Sequence, residues 1–293
     1  MLGMVFEQMA DESSPIILIG AARSGTKFLR DVLATPQGVC CVPFDVNYVW
    51  RYGNEGYPHD ALVPEQLSRQ VTNYIKTRLS RLAKQKDGDV LVEKTVSNSL
   101  RVAFVDKVFP DARYVHLIRD GRDVAESAMR QWQAKPDLLS LGKKLRTIPL
   151  GSSSYIYWFA RNFLLGVLRG RGGGGVWGPR FPGVNEAIEN VSLAEVCALQ
   201  WRESVCNAQH ALREIRQSEN RVITIRYEDL IQSECTLADL VERLHLPDAE
   251  AALQSYRAKK RPSVPDQWRL LSADDQAAIN SIVDVVDIPD KRG

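Results

Sequence analysis

Four large aliphatics in succession, Ile16-Ile17-Leu18-Ile19, lead into the polar, glycine-bearing stretch Gly20-Ala21-Ala22-Arg23-Ser24-Gly25-Thr26-Lys27. Phe28, Leu29, Val32 and Leu33 then return at helical spacing. An unbroken apolar run suits a strand buried on both faces of a parallel sheet, and the i, i+1, i+4, i+5 return suits the inner face of a helix. The pattern predicts strand, tight loop and helix. Residues 38–44 predict a second short strand, running into Asp45 and the mixed segment Tyr48-Val49-Trp50-Arg51-Tyr52. Leu67, Val71, Tyr74, Ile75, Leu79 and Leu82 predict an amphipathic helix over 64–84. Residues 90–95 predict a buried strand with a polar end, 99–109 a helix stopped by Pro110, and 113–120 a further strong strand. Helices are predicted from Gly121, over 192–216 and over 236–246, with a strand over 221–230.

Between 135 and 191 the periodicity loosens around Pro136, Pro149, the run Gly172 to Gly175, and Gly178-Pro179-Arg180-Phe181-Pro182-Gly183. A segment of that length without its own period predicts a lid or acceptor-binding insertion in an otherwise single domain spanning residues 1–293. The glycine run suits a hinge or a disordered tip equally.

Composition narrows the function classes. With 44% hydrophobic and 25% charged residues over 293 positions, the chain has the makeup of a soluble globular protein with a sizeable core. A net charge of +2 supplies no global field for nucleic acid or a membrane surface, so any anion site is built locally. Cys40, Cys41, Cys197, Cys206 and Cys235 form no Cys-x-x-Cys pair, which suits reduced, mostly buried thiols in a cytoplasmic protein. Residues 1–14 carry acids and lack the apolar stretch of a signal peptide, and the apolar run 155–168 is broken by Arg161 and Asn162.

The first loop carries the chemistry. A strand, a glycine turn and a helix N-terminus aim backbone N–H groups and the positive end of a helix dipole at one point, an arrangement that suits phosphate. Gly20 and Gly25 have the spacing of the nucleotide-binding phosphate loop, but Thr26-Lys27-Phe28 stands where Lys-Ser/Thr is expected. Arg23 puts a cation early in the loop, and the hydroxyl that would hold Mg²⁺ is displaced. The residues point to a nucleotide that needs no metal.

Three motifs in order, Ala22-Arg23-Ser24-Gly25-Thr26, then Tyr114 to Ser127 with Arg119-Asp120-Gly121-Arg122-Asp123, then Ile225-Arg226-Tyr227-Glu228-Asp229-Leu230, resemble the sulfotransferases that use 3′-phosphoadenosine 5′-phosphosulfate (PAPS). The resemblance implies an α/β fold of phosphate-loop type, three layers with a central parallel sheet flanked by helices. It implies a 5′-phosphosulfate loop at Arg23, Ser24, Gly25, Thr26, Lys27 and Phe28, and a 3′-phosphate clamp at Arg119 and Ser127. Tyr227 joins the cofactor site, and the basic tail with Arg257, Lys259, Lys260 and Arg261 is similar to a loop that closes over the 3′-phosphate, or is a solvated basic face. The physical reading agrees, since PAPS has two separated anionic ends and Arg forks suit phosphate oxygens.

Members of the small-molecule branch carry Lys-Thr-His with His as base; here Lys94-Thr95-Val96 stands instead, and Val96 cannot take a proton. Carbohydrate and tyrosine branches use a carboxylate soon after the second strand, and Asp45 occupies that place. The resemblance therefore implies Asp45 as base, with Glu93, Asp60, Glu55 and His59 as rivals; Asp45 also suits a helix N-cap. Arg23, Lys27 and Lys94 are the cations for the sulfuryl group and its leaving oxygen, with Lys27 pointing to solvent or Lys94 pairing with Glu93 or Asp45 as alternatives. The expected reaction is sulfuryl transfer from PAPS to a hydroxyl of a glycan or a glycosylated or polar metabolite, Tyr48 to Tyr52 offering rings to stack on sugars. A Mg·ATP kinase and a non-catalytic nucleotide-binding protein are the alternatives.

Overall fold

The computed structural model describes residues 14–134, 176–261 and 264–288. Five parallel strands, β1 (Ile16–Ile19), β2 (Val39–Cys41), β3 (Val90–Glu93), β4 (Arg113–Ile118) and β5 (Val222–Arg226), form one sheet in the order β2-β3-β1-β4-β5. Helices cover both faces, as expected for the three-layer α/β class. β1 is central, and its side chains divide: Ile17 and Ile19 belong to one core with Trp50, Ile75, Phe104 and Tyr114, while Ile16 and Leu18 belong to the other with Leu29, Leu33, Leu237 and Tyr256. The unbroken aliphatic run is thus what a strand with two buried faces requires. The chain steps from β1 to the edge at β2, returns to β3, and crosses to β4 on the other side of β1. The carboxyl end of β1 is therefore the point where strand order reverses, the usual ligand crevice of open α/β sheets.

The helices are α1 (Thr26–Leu33), α2 (Asn47–Trp50), α3 (Arg69–Ala83), α4 (Val102–Val108), α5 (Gly121–Gln133), α6 (Val184–Asn190), α7 (Leu193–Arg213), α8 (Tyr227–Gln232), α9 (Glu234–Arg243), α10 (Ala249–Lys259) and α11 (Ala273–Val283), besides a single turn at Ser218–Arg221. α7 is the longest of them and begins in a capping box in which Ser192 and Glu195 satisfy each other's backbone N–H groups. It packs with α5 and α11 around Trp201 and Val205.

Several boundaries differ from the sequence expectation. The helix predicted over 99–109 is a 3₁₀ turn, Val96–Leu100, followed by α4, because the Ser97 and Asn98 side chains bond to Asp60 and Glu93. The strand predicted over 221–230 ends at Arg226; Tyr227 opens α8, whose first turn holds the acids Glu228 and Asp229 where the helix dipole favours them. The helix over 64–84 starts only at Arg69, where the Ser68 hydroxyl caps the Val71 amide. α10 and α11, capped by Asp248 and Ser272, lie in what the sequence pattern left as a tail. Most of the insertion expected over 135–191, including Gly172 to Gly175, lies outside the described residues. Of the cysteines, Cys197 is buried, Cys40 and Cys41 are half-buried, and Cys206 and Cys235 are exposed, so the expectation of mostly buried thiols does not hold for the last two.

His116, inside β4, is fully buried and its Nε2 has no partner among the described residues. Burial pushes its imidazole down to about 4 from an ordinary value of 6.5. Between those two pH values the unfolded chain holds a proton that the folded chain refuses. The neutral imidazole's contribution to stability is therefore complete above pH 6.5 and lost as pH falls toward 4, by at most about 3 kcal/mol. Urea unfolding at pH 7 and pH 4.5 should show a smaller acid-induced loss in His116→Gln than in the native sequence; equal losses would remove His116 as a contributor.

Candidate functional site

The loop between β1 and α1 is held from below by close contacts. At Gly20 a Cβ atom would stand 2.6 Å from the Leu117 carbonyl oxygen, and at Gly25 it would stand 2.5 Å from the Tyr227 ring. Gly25 also has φ of 89°, in the left-handed region that glycine adopts without strain. Arg23 has φ of 72° as well, which turns the chain so that the Ser24 amide bonds the Ala21 carbonyl at 3.2 Å. The Ser24 hydroxyl is buried with no partner among the described residues, and Thr26 follows as the first residue of α1.

A second group of cations stands beside this loop. Arg119, just past the end of β4, gives Nη1 to the Arg23 carbonyl at 3.1 Å, lies 4.7 Å over the Tyr227 ring and comes within 3.8 Å of Asp123. Arg23 turns its Nε to the Ser127 hydroxyl on α5, at 2.9 Å. Burial, aided by the charges of Arg130 and Arg119 and opposed by Glu126, holds the Arg23 guanidinium below its usual range. Such a cluster favours an anion that relieves the repulsion. The Arg119 carbonyl is fixed by the Trp201 indole N–H at 3.1 Å, and the Asp120 amide by Glu228 at 2.9 Å. Trp201 was not picked out from the sequence, where it reads as an ordinary helix residue, and Glu228 appears there only within the third motif and the strand predicted over 221–230, without a role of its own. Arg122 is spent on structure, bonding Asp120, Asn280 and Asp284 while lying 5.4 Å over Trp268.

Across the crevice, at the ends of β2 and β3, Asp45 accepts from Lys94 Nζ at 2.5 Å and from the Val96 amide at 2.8 Å. α2 is capped instead by Val46, without a side-chain bond, and the Val46 amide goes to the Thr95 hydroxyl at 3.2 Å. The N-cap alternative for Asp45 is therefore not realised. Lys94 pairs with Asp45 rather than Glu93.

The rival carboxylates are engaged elsewhere. Glu93 is fully buried and accepts from Trp50 Nε1, the Thr95 hydroxyl and Asn98 Nδ2. Burial pushes it up, the Thr95 and Trp50 bonds only partly opposing this. Asp60 accepts from Asn47, Arg51, Ser97 and the Arg180 amide. Burial would raise its carboxyl, but Arg101, those hydrogen bonds and Arg51 outweigh it and hold Asp60 below the usual range. Glu55 and His59 lend backbone carbonyls to Arg51.

Other expected site residues have different partners. Lys27 is 75% exposed and pairs with Asp31 one turn along α1, the solvent-facing alternative. Phe28 packs on Tyr256. Arg257 departs from the expected phosphate loop: it is an α10 residue whose guanidinium is shared by Glu234 and Glu250. Lys259 bonds the Asp31 carbonyl and Ser255, and Lys260 lies over Tyr256. The rings offered for sugar stacking are used in packing, since Tyr48 and Trp50 are buried and Tyr52 stacks on Tyr74 at 3.6 Å.

The sequence model of the Sulfotransferase family matches residues 15–161, half of the chain, and this half holds β1, the loop, Asp45, Lys94, Arg119 and Ser127. The chain belongs to the sulfotransferase family. No curated protein matches it in sequence. Solved structures similar to this sulfotransferase include the sulfotransferase domain from the Synechococcus PCC 7002 olefin synthase, 19% identical over 96% of this chain and 99% of that one, with a TM-score of 0.49. The mouse sulfotransferase SULT7A1 complexed with PAP is 12% identical over 95% of this chain and 87% of that one, with a TM-score of 0.46. Sulfotransferase STF1 from Mycobacterium tuberculosis H37Rv is 14% identical over 93% and 78%, with a TM-score of 0.46.

Membership of the sulfotransferase family implies PAPS as co-substrate. The residues present suit such a molecule, with an unpartnered buried hydroxyl at Ser24 in the loop and mutually repelling guanidinium groups beside it. No described helix of the sulfotransferase is long and apolar enough to cross a membrane.

The loop's dependence on Tyr227 is testable without any ligand. Gly25→Ala should cost about 1–3 kcal/mol through the left-handed backbone and the ring clash. The cost should shrink when Tyr227→Ala removes the ring, a coupling measured by a double-mutant cycle in urea. Strict additivity would mean that the ring does not define the loop.

Proposed function

We propose that this sulfotransferase moves a sulfuryl group from PAPS to a hydroxyl of a glycan or other polar metabolite in one in-line displacement, with Asp45 as the base. The observation that carries the reading is the placement of Asp45 with Lys94 on one side of the β1 loop and of Arg119, Arg23 and Ser127 on the other. In this reading the loop amides, Ser24 and Thr26 receive the 5′-phosphosulfate. Arg119 and Ser127 receive the 3′-phosphate, and Arg23 reaches from the loop to that same position.

Asp45 has the chemistry for its role. One of its oxygens is held by a backbone amide and the other by Lys94, which fixes the orientation of the carboxylate while leaving it a third exposed. As the acceptor oxygen bonds to sulfur, the bond between sulfur and the 5′-phosphate oxygen breaks, and its electron pair stays on that phosphate. The acceptor proton passes to Asp45. Lys94, almost fully buried, supplies positive charge for the phosphate oxygen left behind, where low dielectric strengthens the attraction. Lys27, paired on the surface of α1, has no part in this scheme. The polar character of the acceptor is supported by the Asp45–Lys94 pair rather than by stacking rings.

Calorimetric titration tests the donor. PAP (3′-phosphoadenosine 5′-phosphate) should bind tightly in EDTA and in Mg²⁺ alike, with ATP much weaker; preference for Mg·ATP would replace this reading with a kinase. Arg119→Ala should weaken PAP by about 2–5 kcal/mol, the scale for breaking a buried charge-assisted pair, and AMP far less. An equal loss for AMP would mean that Arg119 does not read the 3′-phosphate. For the base, Asp45→Asn should keep PAP affinity and lower PAPS turnover by about 10²–10⁴-fold on an acceptor from a hydroxyl panel. Unchanged turnover would take Asp45 out of the role.

A further inference from the structure

The polar layer behind Asp45 holds more guanidinium than carboxylate. Arg51, Arg101 and Arg180 all act on the charge of Asp60. Asp60 has nothing left to give: Asn47 and Arg51 take Oδ1, while Ser97 and the Arg180 backbone amide take Oδ2. Arg51 is satisfied by Asp60 and by the carbonyls of Asn54, Glu55, Tyr57 and His59. Arg101, only 2% exposed, bonds Asn98 and Asn47 through Nε and Nη2, but its Nη1 has no partner.

Arg180 stands out further. Its backbone is pinned, the amide to Asp60 and the carbonyl to the Asp60 amide at 2.7 Å. Its guanidinium makes no hydrogen bond or ion pair among the described residues, and its Nε is buried without a partner. Burial lowers this guanidinium from its usual range, with Asp60 opposing and Arg51 adding to the effect. A half-buried cation with no ion-pair partner is costly unless something else supplies the counter-charge.

The place of Arg180 says what that could be. The strap around Arg180 is tied to α7 by Gln200, whose amide bonds the Trp177 and Pro179 carbonyls. Pro179 and Trp177 line the same small space as Ala21 and Ala22 of the β1 loop. On its other side the strap meets Asp60 and Ser97, and Ser97 follows the residue whose amide holds Asp45. The strap that bears Arg180 therefore joins the neighbourhood of the β1 loop to that of the turn holding Asp45.

We propose that Arg180, backed by Arg101, is the acceptor-recognition residue of this sulfotransferase and takes an anionic oxygen group, a carboxylate or phosphate, on the molecule whose hydroxyl is sulfated. The inference rests on the reading of Asp45 and the loop as the transfer centre, and it specifies the acceptor class as hydroxyl compounds that already carry an anion. A guanidinium fork with no partner among the described residues can give two parallel hydrogen bonds to such a group, which also fixes where the hydroxyl sits relative to Asp45.

The test uses matched probes titrated calorimetrically into the full chain, with and without saturating PAP. The pairs are methyl glucuronide with methyl glucoside, 4-hydroxyphenylacetate with its amide, and glycerol 2-phosphate with glycerol. At least one anionic member should bind about tenfold or more tightly than its neutral partner, the scale of a charge-assisted pair. Arg180→Gln should erase that preference with PAP affinity unchanged, and Arg180→Lys should restore part of it. The proposal is overturned if no anionic probe is preferred, which would make Arg180 a solvated surface cation, or if the preference survives Arg180→Gln. Failure of PAP to bind would instead defeat the sulfotransfer reading, and the probe comparison on the protein alone would still decide the role of Arg180.

Discussion

Tyr227 fills the space that any side chain at residue 25 would need, and the same ring carries the Arg119 guanidinium 4.7 Å above it. One aromatic group thus sets the left-handed turn of the loop and the height of the cation beside it. The ring is available because the chain leaves the sheet at Arg226 and enters α8 at once, with Tyr227 as its first residue. Had the strand run on to residue 230, as the apolar pattern suggested, alternation along the strand would have taken the ring elsewhere. A boundary shift of a few residues is, at this position, the difference between a floor under the loop and none.

The opposite wall depends on a buried carboxyl that does not itself face the crevice. Glu93 collects hydrogen bonds from Trp50, Thr95 and Asn98, and Thr95 in turn accepts from the Val46 amide. The turns that carry Asp45 and Lys94 are therefore fastened to one interior point, and neither has to be held by solvent-exposed contacts. Asp60 does the same for the strap that bears Arg180. Buried polar groups of this kind are tolerable because nearly every lone pair and proton has a partner, and the few exceptions stand out for that reason.

Much of this could be read in the sequence, for physical reasons that differ by element. The sheet was legible because β1 and β4 are buried on both faces and their apolar runs are unbroken. The loop was legible because few structures need two glycines and a hydroxyl pair between such a strand and a helix. α10 and α11 were not, since their apolar faces are thin and their starts rest on the single caps Asp248 and Ser272. The tail cations were misjudged because a run of basic residues says nothing of the acids that meet it, and Glu234 meets Arg257 from 23 positions away. Arg180 was passed over for the converse reason: it sits in a glycine and proline stretch that carries turn signals and no period.

The bond from Arg23 to Ser127 has a consequence for how a two-ended nucleotide would be held in the proposed site. In the proposed reading Arg23 has its backbone in one anion position and its guanidinium, through Ser127, in the other, so the two would be mechanically one device. A ligand that engages the first end brings its second end to a receptor already in place, at the high effective concentration of a bivalent attachment. Fragments carrying a single phosphate forfeit that advantage as well as a contact. Discrimination between one phosphate and two is then a property of the tether between the positions, not of either position alone.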